Sequence, residues 1–303
     1  MKNFFLVKDD FVNSRLDRWF RRNICEVPQS LIEKNLRKGK IKVNNKKIKS
    51  SYKLKYNDQI FLYNINFTEN KNKEIKIKYQ ATNKELSLSP GLFIENNKNF
   101  AVINKPAGIS VQSGTKSRKN LIDILRDTRE FTESQPYTVH RIDKETSGVL
   151  IVAKNRKFAQ LFTSLFRIRK IHKTYLGIVL GEFDEKKGTF IDDLFHYEDE
   201  KKVKTKAITH FTLINSNNNY SLLKLNPETG RKHQLRKQLL MHGFPVLGDS
   251  KYRISKNNPS KKDKLMLHAY KINFSIDGTK YNYSAEPPSA FKKVLREKYL
   301  KIY

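Results

Sequence analysis

Apolar positions along the chain fall into two textures. Over residues 14–62, Leu16, Trp19, Phe20 and Ile24 recur at helical spacing, with Arg15, Arg18, Arg21 and Arg22 on the remaining faces. Ser30 followed by Glu33 predicts a capping box for a second helix through Leu31, Ile32 and Leu36, and Gly39 is placed to close it. Ile41-Lys42-Val43, the turn pair Asn44-Asn45 and Ile48 predict a tight hairpin, because Asn tolerates positive φ. Ile60-Phe61-Leu62 predicts another strand. Residues 66–90, rich in Asn, Lys and Glu without sustained periodicity, read as a solvated linker.

From Gly91 onward the pattern changes to short strands, at 100–104, 149–153, 175–180, 207–213, 222–225 and 265–274. Helices are predicted over 121–126, 158–168, 233–242 and 290–299. Asp277-Gly278 between KINFSI and KYNYSA signals a hairpin. Strands and helices without βαβ alternation predict an α+β fold with a mainly antiparallel, mixed sheet. The expected organisation is a small basic domain over 1–65, a linker over 66–90 and a larger domain over 91–303.

Charge sharpens this division. The 303 residues carry 61 Lys plus Arg against 30 Asp plus Glu, a net charge of +31. Residues 1–80 hold 20 basic and 8 acidic side chains, which is +12 in about a quarter of the chain. Such an excess calls for a polyanionic partner. Lys outnumbers Arg 45 to 16, yet five of the sixteen Arg stand at 15, 18, 21, 22 and 37. These five, with Lys38, are the candidate nucleic-acid-binding residues, on the argument that Arg is used where a planar fork must meet phosphate or carboxylate.

Several chemistries lack their residues. No apolar run approaches the ~20 residues of a membrane helix, and Asp9 and Asp10 follow the start too soon for a secretory signal. The single Cys25 excludes an internal disulfide, and the expected location is cytoplasmic. The scattered His residues offer no zinc spacing, and neither a phosphate loop, a dinucleotide fingerprint nor a GxSxG elbow is present. The expectation is an activity without metal or organic cofactor.

One segment stands out, VHRIDKETSGVLIVAKN over 139–155. Asp143 sits between Arg141 and Lys144, ahead of an apolar strand that Gly148 lets the chain enter tightly. Taken alone, this reads first as a surface ion pair at a strand start. HRIDKETSG, however, resembles the HRLDxxTSG signature of the RluA-type pseudouridine synthases. NKPAGISVQSG (104–114), KTYLGIV (173–179) and ETGRKHQLR (228–236) resemble that family's other blocks in the same order. GFPVLGDSKY and LMLHAYKINF are similar to its C-terminal pattern, so the resemblance spans roughly 91–300. Residues 14–62 resemble the small RNA-binding domain first named for a ribosomal small-subunit protein.

The resemblance implies isomerisation of uridine in RNA without a cofactor, on large-subunit ribosomal RNA; no sequence feature demands an oligomer, so a monomer is expected. It makes Asp143 the catalytic carboxylate, with attack on sugar or base left open. Tyr175 is implied to stack on the target base and help remove its carbon-5 proton, and Arg236 to pair with the aspartate. Leu235 would wall the base pocket, and Lys105 and Arg141 would line its rim. Arg231 and His233 would organise the loop or contact RNA phosphate. The chain departs from the family in Val111-Gln112-Ser113-Gly114, where VHxG is usual and Gln112 replaces the His, and at Lys237-Gln238, where a second His is usual. Two other readings stay open: an RNA-binding factor without activity, and the same chemistry on transfer RNA or another ribosomal site.

Overall fold

The structure is a computed structural model that describes residues 4–25, 27–65, 79–82, 86, 89–112, 119–198, 201–254 and 264–302. It divides into two compact units, Met1–Ile77 and Lys78–Tyr303. Most of the segment 66–90, read above as a linker, lies outside the described residues.

In the first unit, helices α1 (Leu16–Asn23) and α2 (Gln29–Arg37) pack on a three-stranded sheet ordered β1-β3-β2, from β1 (Phe4–Leu6), β2 (Ile41–Val43) and β3 (Gln59–Leu62). Leu16, Trp19, Phe20, Ile32, Leu36, Ile41 and Ile60 form its core, so the helical spacing marked the buried faces. Gly39 takes φ +70, with Gly39 N donating to Leu36 O and Lys40 N to Asn35 O, the paired bonds of a Schellman ending. Two expectations are corrected. The second helix starts one residue before Ser30, after Pro28, and has no capping box; Glu33 instead accepts from Gln29 and Ser50. The Asn44-Asn45 turn forms with both φ positive, but beyond it only Lys46 bridges back to Val43. The ladder partner of β2 is the distant β3, because pairing there buries Ile41 and Val43.

The second unit is α+β, built on a mostly antiparallel ten-stranded sheet. Its strands are β4 (Phe93–Asn96), β5 (Phe100–Lys105), β6 (Tyr137–Thr138), β7 (Ser147–Ala153), β8 (His172–Leu180), β9 (Lys187–Glu198), β10 (Lys201–Asn217), β11 (Tyr220–Pro227), β12 (Leu267–Ile276) and β13 (Thr279–Ser284). The main path runs β4-β5-β7-β12-β8-β11-β10-β9, with β13 on β12 and β6 on β7. The helices are α3 (Leu121–Arg126), α4 (Arg156–Arg167), α5 (Gln234–Met241) and α6 (Ser289–Glu297). Central β7 is buried at every residue, as its unbroken apolar run requires. Val149 and Ile151 pack with Phe162 of α4, and Leu150 and Val152 with Leu121 and Leu125 of α3. Asn120 and Asn155 cap α3 and α4 by accepting from Asp123 N and Phe158 N. Asp277-Gly278 turns β12 into β13 with both φ positive.

The parallel step in the sheet is β7 beside β12, pairing Ser147 with His268 and Gly148 with Ala269. Gly148 takes φ +111, and a Cβ there would run into the Ala269 backbone. This close approach sets the start of β7 four residues after Asp143. Gly148→Ala is therefore expected to lose more than about 3 kcal/mol in urea denaturation. Gly91→Ala, with open space around it, should change stability by less than about 0.5 kcal/mol; equal effects of the two would contradict the close-approach reading.

Candidate active site

Asp143 lies half-buried in the loop that enters β7, and Thr146 N donates to its carbonyl (3.2 Å) to close the turn. That loop is tied to the end of β5 by Lys105. Expected at a pocket rim, Lys105 is instead fully buried. Its Nζ donates to the carbonyls of Pro106 (2.8 Å), Ile109 (3.0 Å) and Lys144 (3.1 Å). Three carbonyl dipoles take the place of water around the ammonium, which is how a lysine can leave the surface. Burial still pulls it down to about 7, against the charges of Glu145 and Asp143.

Arg236 reaches Asp143 from α5. Its Nε and Nη2 donate to Oδ2 and Oδ1 of Asp249 at 2.6 and 2.7 Å, a bidentate fork, and Nη1 donates to Asp143 Oδ2 at 3.2 Å. The Asp249 side chain is fully buried and also accepts from the backbone N–H of Lys251 and Tyr252. Burial alone would push its carboxyl up, but the Arg236 and backbone hydrogen bonds outweigh that and hold it below the usual carboxylate range.

Tyr175, in β8, packs between two core clusters, one of them containing Leu235. Burial first, and the charge of Asp143 second, push its phenol above the ordinary value. His233 precedes α5 in a left-handed conformation (φ +55). Its Nδ1 lies 2.8 Å from the Tyr252 hydroxyl and its Nε2 3.8 Å from Asp143 Oδ1.

The other candidates sort by contact. Arg231 donates from Nε to Lys206 O at 3.2 Å, joining its loop to β10. Arg141 is exposed and makes no hydrogen bond or ion pair among the described residues. Gln238, where the resembling family usually has His, is fully buried; it accepts from Thr209 and donates to Asp192. Gln234 and Thr229 extend this polar chain and fix α5 against β10. In the first unit Arg15 is committed to Asp17, and Arg21 to Val27 O and Gln29. Arg18, Arg22, Arg37 and Lys38 are exposed. Of the altered VHxG block, Ser113 and Gly114 lie outside the described residues. Among the described residues no group of three or more His, Cys, Asp or Glu could hold a metal ion, and no helix is long and apolar enough to cross a membrane.

Asp249 and Tyr252 were not among the sequence candidates. The GFPVLGDSKY block contained both, but spacing alone gives no reason to join them to Arg236, or to Asp143 more than 100 positions earlier.

The family described as RNA pseudouridylate synthase matches residues 99–241. The chain is 32% identical to ribosomal large subunit pseudouridine synthase C of Buchnera aphidicola subsp. Baizongia pistaciae, over 97% of this chain and 96% of that one. It is 33% identical to the protein of the same name from Rickettsia bellii, over 93% and 97%. Among solved structures it is similar to human RNA pseudouridylate synthase domain containing 4, at 25% identity and a TM-score of 0.62, covering 72% of this chain and 98% of that one.

Lys105→Met would take the ammonium from the carbonyls of Pro106, Ile109 and Lys144, of which Lys144 O keeps the Gly108 N–H. It is expected to cost about 3 kcal/mol or more in urea denaturation; a cost under about 0.5 kcal/mol would mean that the loop holds without it.

Proposed function

The chain belongs to the RNA pseudouridylate synthase family, which makes it an isomerase, and from that premise we propose that it converts uridines of large-subunit ribosomal RNA to pseudouridine with Asp143 as nucleophile. The target class follows the names of the relatives matched over nearly their whole length. The observation that carries the assignment of Asp143 is the Arg236–Asp143 bond, made by a guanidinium that Asp249 already holds in one plane.

The reaction breaks the bond from N1 of the base to C1′ of the ribose and forms one from C5 to C1′. One proton leaves C5 and one arrives at N1, so no electron donor or acceptor is required. A carboxylate that attacks the nucleotide holds the reacting partner while the base turns. Asp143 is suited to this because Arg236 contacts only its Oδ2, by a single bond longer than the two to Asp249. Tyr175 offers an aromatic face against the base, and Leu235 lies in the same apolar cluster. Arg141, exposed beside the reacting residue, is placed to meet RNA. A target uridine in paired RNA must first leave its helix, at a cost of a few kcal/mol.

RNA capture falls to the first unit in this reading. Arg18, Arg22, Arg37 and Lys38 are exposed cations available to phosphate, Arg22 with its guanidinium 5.9 Å over the Phe11 ring, whereas Arg15 and Arg21 serve its fold. A direct test is tritium release from C5-labelled uridine in transcribed large-subunit ribosomal RNA. Wild type should release tritium and Asp143→Asn should lose at least about 10³-fold in rate, as removal of a nucleophile does. Release that survives Asp143→Asn would overturn the nucleophile, and no release from any RNA would favour a binding factor.

A further inference from the structure

His233 stands where the proposed reaction leaves one atom unaccounted for. The two oxygens of Asp143 have different neighbours: Oδ2 accepts from Arg236, whereas Oδ1 faces Nε2 of His233 at 3.8 Å. The imidazole is held from behind, because its Nδ1 lies 2.8 Å from the Tyr252 hydroxyl. Tyr252 is fixed in turn by its backbone bond to Asp249 and by the Arg236 guanidinium 5.0 Å over its ring. The His233 backbone is left-handed, a strained state for a residue with a Cβ, which sets the ring at the mouth of α5.

Elementary electrostatics chooses the tautomer. A lone pair on Nε2 would face the lone pairs of a carboxylate, whereas a proton there faces them favourably. With the proton on Nε2, Nδ1 becomes the acceptor for the Tyr252 hydroxyl, and each atom of the chain has a complementary neighbour.

We propose that His233 is a positioning residue for Asp143: a neutral Nε2–H donor, its ring held by Tyr252, that closes onto Oδ1 when RNA binds and aims the carboxylate at the target nucleotide. The proposal rests on Asp143 being the reacting carboxylate. A gap of 3.8 Å is longer than a hydrogen bond, but catalytic contacts commonly tighten only in the substrate complex.

A pH dependence follows. The charged and titratable groups around the ring are Asp143, Arg236, Lys232, Lys251 and Tyr252. Burial first, then Arg236, Lys251 and Lys232, lower the His233 pKa, against the opposing pull of Asp143. The ring is therefore neutral at neutral pH. As pH falls it becomes an imidazolium that pairs with Oδ1 and withholds that oxygen from attack.

The test is single-turnover tritium release at saturating transcribed ribosomal RNA, from pH 5 to 8. RNA dissociation constants and thermal unfolding are measured alongside. His233→Phe should slow the chemical step tenfold or more with RNA affinity unchanged within twofold. His233→Gln, which keeps a non-titrating N–H donor, should recover most of the rate and lose part of the acid-side decline. Tyr252→Phe, a milder change that removes the hydrogen bond holding the ring, should slow the step about threefold and still serves if His233→Phe does not fold. A wild-type rate and pH profile for the folded His233 variants, or for Tyr252→Phe if they do not fold, would overturn the proposal, as would a loss confined to RNA affinity. Asp143→Asn in the same series separates the layers. If it stays active, the reading of Asp143 fails; if it is inactive while His233→Phe matches wild type, only the present proposal fails.

Discussion

One guanidinium shared by two aspartates organises the catalytic unit. Asp249 takes two nitrogens of Arg236 in a buried fork, and the remaining nitrogen reaches Asp143. The fork is where the binding strength lies, since both partners are almost wholly removed from water. A pair this buried is costly to break from one side, about 3–5 kcal/mol, because the survivor keeps an uncompensated charge. The looser third contact is the useful one: it orients Asp143 without binding both of its oxygens. On the proposed role of Asp143, a tight bidentate pair would have stabilised the carboxylate in place of its reaction.

The rest of the fold brings three chain segments to that guanidinium. Gly148 lets β7 press against β12, which sets the exit of the Asp143 loop. Lys105 ties the same loop to the end of β5 through three carbonyls. The polar chain from Thr229 to Asp192 seats α5, so that Arg236 projects from a fixed helix. The overall charge of +31 divides accordingly. Some of it is structural, as at Arg15, Arg21, Lys105 and Arg236, while exposed cations such as Arg18, Arg37 and Lys38 contribute to the positive field.

Local signals in the sequence were the readable ones. The α1 spacing, the Gly39 ending, the β7 run and the Asp277-Gly278 turn each depend on neighbours within a few residues, and each appears in the structure. What could not be read depended on distant partners. Strand β2 finds β3 and not its own turn, and β9, whose KGTFIDDLFHYE pattern alternates only weakly, is held by twelve residues of β10. Lys105 looked like a surface charge because only the fold supplies its carbonyls. Asp143 and Arg236 were legible through motif resemblance, and Tyr252 and Asp249 were not, since nothing in their spacing announces the fork.

The most direct test of the shared guanidinium is a double-mutant cycle on the rate of pseudouridine formation. Asp249→Asn and Arg236→Lys are made singly and together, with single-turnover rates measured at saturating RNA. If Asp249 acts by orienting the fork of Arg236, Asp249→Asn should slow the wild-type enzyme but cost little further once the fork is gone, leaving the double variant close to Arg236→Lys alone. Independent, multiplicative losses in the double variant would contradict the account.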